Sequence, residues 1–321
     1  MAPKLALLCM NHVKKGRMMS IFSGILEQGL IYAVLGLGIY ISFIVLNIPD
    51  LTVDGTFPFG SALSAWFILM GFPPPLALLG CFLGGMIAGT ITGIIHVRFH
   101  IIDFIAGIIT ATGLYTINLL VAGKANVALF NNPSIFNQGL FQSWFGPSTG
   151  PWRTSLILFP WILLIKILLD LFFSTKAGFL LKASGDNPML VKTMGKDPGQ
   201  SKIFGLALAN GLVALSGGLL CQQQRFFEIS VGTGSMMIGL ASVVIGMKIF
   251  ERLPSIQDTT KVIIGSIIYK AIIAIALALG LPSQMMKLMT AVLFFLILVL
   301  SHTGGLIRTR TSGQKGDRTN A

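Results

Sequence analysis

Among the carboxylates inside or beside long apolar runs are Glu27, Asp50, Asp54 and Asp103. An acid at membrane depth is expensive, so such residues are candidate sites for an ion, a proton or a polar solute. Asp50 and Asp54 belong to NIPDLTVDGTFPFG, residues 47–60, together with Thr52 and Thr56. His96 and His100 have the spacing that puts two imidazoles on one helix face and suits a metal ion. No carboxylate or thiol cluster accompanies them, and the expectation is no metal. Cys9, Cys81 and Cys221 share no metal-ligand spacing and read as buried thiols. Lys166 and Asp170, four apart, are placed to pair on one helix face. No Ser-His-Asp, Cys-His or two-His-plus-acid set is apparent, which argues against chemistry on a substrate. A membrane enzyme would have to use His96, His100 and Asp103.

The elements that must position these residues are apolar helices. The chain is 54% hydrophobic and 11% charged, against about 25% charged in ordinary globular proteins, and its mean hydropathy is +0.82. Nine apolar runs stand out, at 21–48, 61–70, 76–97, 101–122, 156–173, 203–220, 232–249, 262–281 and 285–300. Several reach or approach the roughly 20 residues that cross a bilayer as a helix. The expected fold is an all-α polytopic membrane protein of about eight or nine transmembrane helices, some broken or re-entrant.

Two prolines, two glycines and two aspartates in residues 47–60 predict a helix break, with helix resuming near Ser61. Irregular backbone at membrane depth persists only where protein or a watery cavity covers it. Asp50, Thr52, Asp54 and Thr56, with Asn118 from the fourth run, are therefore candidate pathway residues. The alternative is an ordinary aqueous loop. The run at 232–249 is short and glycine-containing, and is also expected to break. Residues 123–153 form the longest polar connection. A short hairpin or helix on the extracytoplasmic face is expected there, with its aromatic residues in the interfacial belt.

Residues 182–199, KASGDNPMLVKTMGKDPG, are a polar island between apolar runs. A short helix is predicted, capped by Asp186 or Asn187, started at Pro188 and ended at Gly195. Met189, Leu190 and Met194 fall on one face of it. An apolar-faced helix in an aqueous loop suits a docking partner; the plainer alternative is packing on its own bundle.

The net charge is +12, but the basic residues lie mostly in short loops and at both ends, so topology accounts for them better than nucleic acid does. Residues 174–202 hold five lysines against two aspartates and are placed in the cytoplasm, as is the basic tail 303–321, which is expected to be disordered. With nine crossings the N-terminus falls outside despite Lys4, Lys14, Lys15 and Arg17. If residues 47–75 re-enter without crossing, it falls inside. Residues 1–19 are read as a basic extension, 20–302 as the membrane domain. A GxxxxGK[ST] phosphate loop is absent, so energy must come from a partner or from an ion gradient acting on Asp50, Asp54, Glu27 and Asp103.

Four blocks in order carry a resemblance over roughly residues 20–301: NIPDLTVDGTFPFGSAL, IAGIITATGLYTINLLVAGKANVALFN, ASGDNPMLVKTMGKDPGQSKIFGLALANGLVALSGGLL and GLASVVIGMKIF. The chain resembles the permease subunits of bacterial ABC importers in the branched-chain amino acid and ribose permease superfamily. Within it, the chain is most similar to the branch paired with a binding lipoprotein and an ATPase, with aromatic amino acids as one cargo. The resemblance implies a second permease copy and an ATPase subunit that binds the ATP, with no cofactor on this chain. It also implies an extracytoplasmic binding protein and a place in the bacterial inner membrane. Gly185, Asp186, Asn187 and Gly195 match the pattern of a coupling helix that docks on the ATPase, and residues 50–59 that of a helix break on the solute route. Met247 and Lys248 depart from the family, which usually carries a glutamate after VVIG.

Overall fold

The computed structural model describes residues 2–137, 152–251, 253, 255–282, 285, 287–297 and 299, with backbone alone for residues 2–18 and 20. The basic tail and the middle of the 123–153 connection, with the interfacial aromatics expected there, lie outside the described residues.

Helix α1, Ala2–Ile39, runs without interruption past the residue-19 boundary. It widens into a π turn at Tyr40–Val45, and the chain then breaks until α2, Val53–Leu69. Helices α3, Pro74–Arg98, and α4, Asp103–Ala122, precede strand β1, Asn126–Ala128. Next come α5, Arg153–Ser174, α6, Lys176–Asp186, α7, Pro188–Thr193, and α8, Pro198–Gln224. Strand β2, Phe226–Glu228, and a 3-10 turn at Ile229–Gly232 lead to α9, Ser235–Ile249. Helices α10, Asp258–Ala278, and α11, Lys287–Ile297, complete the described bundle.

Among the described residues, seven spans are long and apolar enough to cross a membrane. Helices α2 and α11 are shorter, and with them the count reaches the nine runs of the sequence. The bundle is built around α1 and α8, whose apolar stretches are 83% and 78% buried, against 28% for α4 and α5. Glycine brings α3 onto α8. A Cβ at Gly93 would lie 2.8 Å from the Ile203 backbone, and Cβ atoms at Gly85 and Gly89 would run into the carbonyls of Asn210 and Leu206. Small residues at such spacing let two helices in lipid approach backbone to backbone, where dispersion and not the hydrophobic effect holds them.

The two ends of the bundle follow from its contacts. Ser155, at the start of α5, donates to the Ser23 carbonyl, so α1 enters at the end far from α6 and α7. Val45 then meets Gly185 of α6. Helix α2 climbs back, and Gln222 near the end of α8 donates to Ser64 and to the Pro74 carbonyl. Residues 47–75 therefore pass through the bundle and do not turn back.

Two expectations need correction, and a third falls partly outside the described residues. Helix resumes at Val53, not near Ser61, and Pro58 sits inside α2. Gly55 and Thr56 already bond back to the Thr52 carbonyl, at 2.9 and 2.8 Å. A glycine at 232 gives the Pro58 ring room, since a Cβ there would lie 2.5 Å from it. The connection after α4 makes no hairpin of its own in its described part. Instead β1 pairs antiparallel with β2, Val127 opposite Phe227, because Arg225 at φ 55° turns the chain off α8 into extended backbone. Finally, α3 ends at Arg98, so His100 is off the helix at φ 55° and shares no face with His96. His96 Nδ1 instead lies 2.9 Å from the Ile101 carbonyl and closes the turn.

The break at 232–249 is real: the 3-10 turn stops at Gly232, and Gly234 in the left-handed region starts α9. The expected Lys166–Asp170 pair forms at 2.9 Å.

Candidate functional site

The break between α1 and α2 is held by side chains from two other helices, α3 and α8. The π turn leaves Leu46 bonded to the Ile41 carbonyl at 3.0 Å and Ile48 to the Ser42 carbonyl at 2.8 Å. Asn47 then takes φ 56°, a conformation that asparagine tolerates better than most residues. Asp50 is 3% exposed. One of its oxygens accepts the Thr52 amide at 2.9 Å, and the other accepts Asn210 Nδ2 of α8 at 2.6 Å. The Thr52 hydroxyl meets the Thr92 hydroxyl of α3 at 2.9 Å. A buried carboxylate needs such partners, because leaving its oxygens bare costs more than the bonds add.

Asp54 serves a second break. Its carboxylate accepts the Met236 amide at 2.8 Å, the Ser235 hydroxyl at 3.0 Å and the Gly234 amide at 3.3 Å. Gly234 has no side chain with which to cap α9, so an acid from another helix takes the orphan donors and faces the positive end of the helix dipole. Asn118 of α4 donates to the Gly55 carbonyl at 3.2 Å. The Thr56 hydroxyl, Asn118 Oδ1 and Asn210 Oδ1 are buried with no partner among the described residues. The five residues expected on the pathway thus lie at one junction of α2, α4, α8 and α9, turned toward protein. Glu27 stands apart near the far end, accepting from Gln223 at 3.3 Å. Asp103 starts α4 and bonds the next amide, at Phe104.

Helix α4 has two faces. Ala106, Gly107, Thr110, Leu114 and Asn118 are buried toward the junction. Thr112, Gly113, Tyr115 and Thr116 are exposed on the other side, in the midst of isoleucines.

The second site is the polar island. Asn187, not Asp186, caps α7, accepting the Leu190 amide at 3.2 Å. Asp186 is the exposed last residue of α6. Pro188 occupies the first turn, and Gly195 at φ 72° follows its end. Met189, Leu190 and Met194 are 69%, 51% and 58% exposed, while Val191 is fully buried. One valine pins the helix to the bundle and three large apolar side chains face away. Gly185 packs against the backbone at Val45, where a Cβ would strike the carbonyl oxygen and lie 3.0 Å from Leu46 Cα. The island therefore touches the first residues of the break.

Residues 21–300 match the family described as the branched-chain amino acid transport system / permease component. The chain belongs to that family. It is 37% identical to a tyrosine transport system permease protein of Clostridioides difficile (strain R20291), over 90% of this chain and 92% of that one. It is 23% identical to the galactofuranose transporter permease protein YtfT of Escherichia coli (strain K12), over 78% and 71% of the two chains. With this family goes the rest: a multi-pass inner-membrane permease subunit of an ABC import system, whose kind works with an ATPase and a binding protein.

Asn210, Thr92, Ser235 and Val191 were not among the sequence candidates. Asn210 had a signal, since a lone asparagine in the run GLALANGLVALSGG is a polar residue inside a membrane helix. Val191 had none beyond helical phase.

Proposed function

We propose that this chain forms half of a solute route and is driven by a separate ATPase docking on α7. The observation that carries the reading is the contrast on that helix between buried Val191 and exposed Met189, Leu190 and Met194. Force applied to α7 reaches the break through Gly185 and Val45, and the break reaches α8 through Asp50 and Asn210. Gly185, Asp186, Asn187 and Gly195 shape the docking helix, and its three apolar side chains supply the contact.

Asp50, Thr52, Asp54, Thr56 and Asn118 form the hinge that positions α4. The exposed Thr112, Gly113, Tyr115 and Thr116 of α4 then line the route, against the same face of a second copy, so the assembly is a homodimer. Polar side chains on the outer face of a membrane helix suit a wet path better than lipid. The lysine-rich end with α6 and α7 is cytoplasmic, and the β1–β2 end receives a binding lipoprotein. The chain itself performs no chemistry, and the ATP belongs to the partner. The solute class is an amino acid, and an aromatic one is the first to test, given the tyrosine transport relative.

The experiment is uptake in proteoliposomes holding the permease, its ATPase and its binding protein. Accumulation should need all three and hydrolysable ATP. Accumulation by the permease alone, driven by a proton or sodium gradient, would replace this reading with an ion-coupled carrier.

A further inference from the structure

A cavity of about 370 Å³ opens at the end of the bundle that carries α7, between the π turn, the end of α5, α6 and the start of α10. It has no part in the docking helix or in the break junction. Its floor is an aromatic step: Tyr40 and Phe173 meet edge to face with centroids 6.0 Å apart. Lys182 of α6 lies over the Phe173 ring, its Nζ 4.9 Å from the centroid. The Tyr40 hydroxyl reaches Asp258 Oδ2 at 3.4 Å.

The charges are unequally matched. Asp170 is engaged by Lys166 at 2.9 Å and by the Thr259 hydroxyl at 2.6 Å. Asp258 Oδ1 holds Lys261 at 2.7 Å. Among the described residues Asp258 Oδ2 has only the long Tyr40 contact, so it retains strong acceptor capacity toward the cavity. Among the described residues Lys182 makes no ion pair, and its three donors have only the ring face. Among the described residues, an unpaired cation and an under-used carboxylate thus both line the cavity, Lys182 against Phe173 and Asp258 against Tyr40.

We propose that this cavity binds a small zwitterion, its primary ammonium on Asp258 and its acid group on Lys182. A simple anion would meet Asp170 and Asp258, and a simple cation would meet Lys182 and Lys261; a molecule carrying both charges satisfies each pole. Two sources share this chemistry: a free amino acid from the solution at that end, or the headgroup of an aminophospholipid such as phosphatidylethanolamine. Because Lys182 lies on α6, directly ahead of α7, occupancy ties the docking segment to α5 and α10.

The test uses the purified full chain in nanodiscs, so it does not depend on transport. L-Alanine and L-phenylalanine are titrated calorimetrically in phosphatidylcholine discs, and phosphatidylethanolamine retention is read by native mass spectrometry. Lys182→Ala should weaken the binding of one of the two probes about tenfold, the loss of one charge-assisted hydrogen bond. Asp258→Asn should do the same. N-acetylation of the amino acid, or methylation of the lipid amine, should have the effect of Asp258→Asn. If Asp258→Asn melts early through loss of the Lys261 pair, Lys182→Ala on the exposed rim still decides. Loss for the amino acids alone assigns a soluble ligand, and loss for the lipid alone assigns a headgroup. Binding of both probes unchanged by Lys182→Ala, or no binding of either, overturns the proposal.

Discussion

Asn210 of α8 donates to Asp50 at 2.6 Å, and this bond fastens the break between α1 and α2 to the most central part of the bundle. Asn210 also donates to the Leu206 carbonyl one turn back, at 3.1 Å, so its amide is held in place before it meets the acid. Both side chains are buried, and water cannot replace either partner. Asn210→Leu should therefore destabilise the protein by about 2–4 kcal/mol, since it strips a buried carboxylate oxygen of its strongest donor. Thermal unfolding in detergent checks this. The exchanged pair, Asp50→Asn with Asn210→Asp, should recover part of the loss, and a double-mutant cycle would show coupling. Additive losses would mean that the contact contributes little.

The Asp54–Met236 bond is a cap supplied in trans, so its removal should be felt at α9 and not at α2. Asp54→Ala is expected to cost about 0.5–2 kcal/mol, the usual range for losing a helix cap, and Asp54→Asn much less. Hydrogen exchange localises the effect. Amides at Ser235, Met236 and Met237 should exchange faster in the alanine variant, with those of Val53–Thr56 unchanged. If Asp54→Asn stops transport while leaving exchange intact, the negative charge itself serves the solute.

How far these features could be read in advance depended on how local they are. The island at 182–199 was legible because its cap, its first-turn proline and its terminating glycine lie within nine residues of one another, from Asn187 to Gly195. The spans were legible from apolar length alone. Pro58 misled because a helix interior rejects proline unless something distant makes room, and here that is Gly232. The β1–β2 pairing was hidden for the same reason, joining Asn126 to Glu228 across four described helices. Asp50 and Asp54 were visible as costly acids. Their partners, Asn210 and Met236, exist only once α8 and α9 are packed.

Gly185 should tolerate no side chain. Its neighbour is the Val45 carbonyl and the Leu46 backbone, which cannot swing aside as the end of a flexible side chain would. Gly185→Ala should push α6 from the break and cost about 1–3 kcal/mol, the usual range for overpacking. Transport should fall while the ATPase still co-purifies, because the docking face on α7 is untouched. Normal coupled transport by a well-expressed Gly185→Ala protein would show that motion does not pass through this contact.

Val191 and Leu190 are adjacent on α7 and have opposite surroundings, the first fully buried and the second 51% exposed. The same substitution should therefore fail in two different ways. Leu190→Asp, alone or with Met194→Asp, places charge on the exposed face of α7. It should leave the melting temperature within about 0.5 kcal/mol equivalent of the parent, as surface changes do, yet abolish co-purification of the ATPase. Val191→Asp buries an unpaired charge against α8 and should unseat the helix, lowering stability by several kcal/mol along with ATPase binding. Size-exclusion chromatography with a tagged ATPase, run beside thermal melts, separates the two outcomes. Retention of the ATPase by the Leu190→Asp and Met194→Asp double variant would remove the docking role from α7 and leave the exposed methionines without a function.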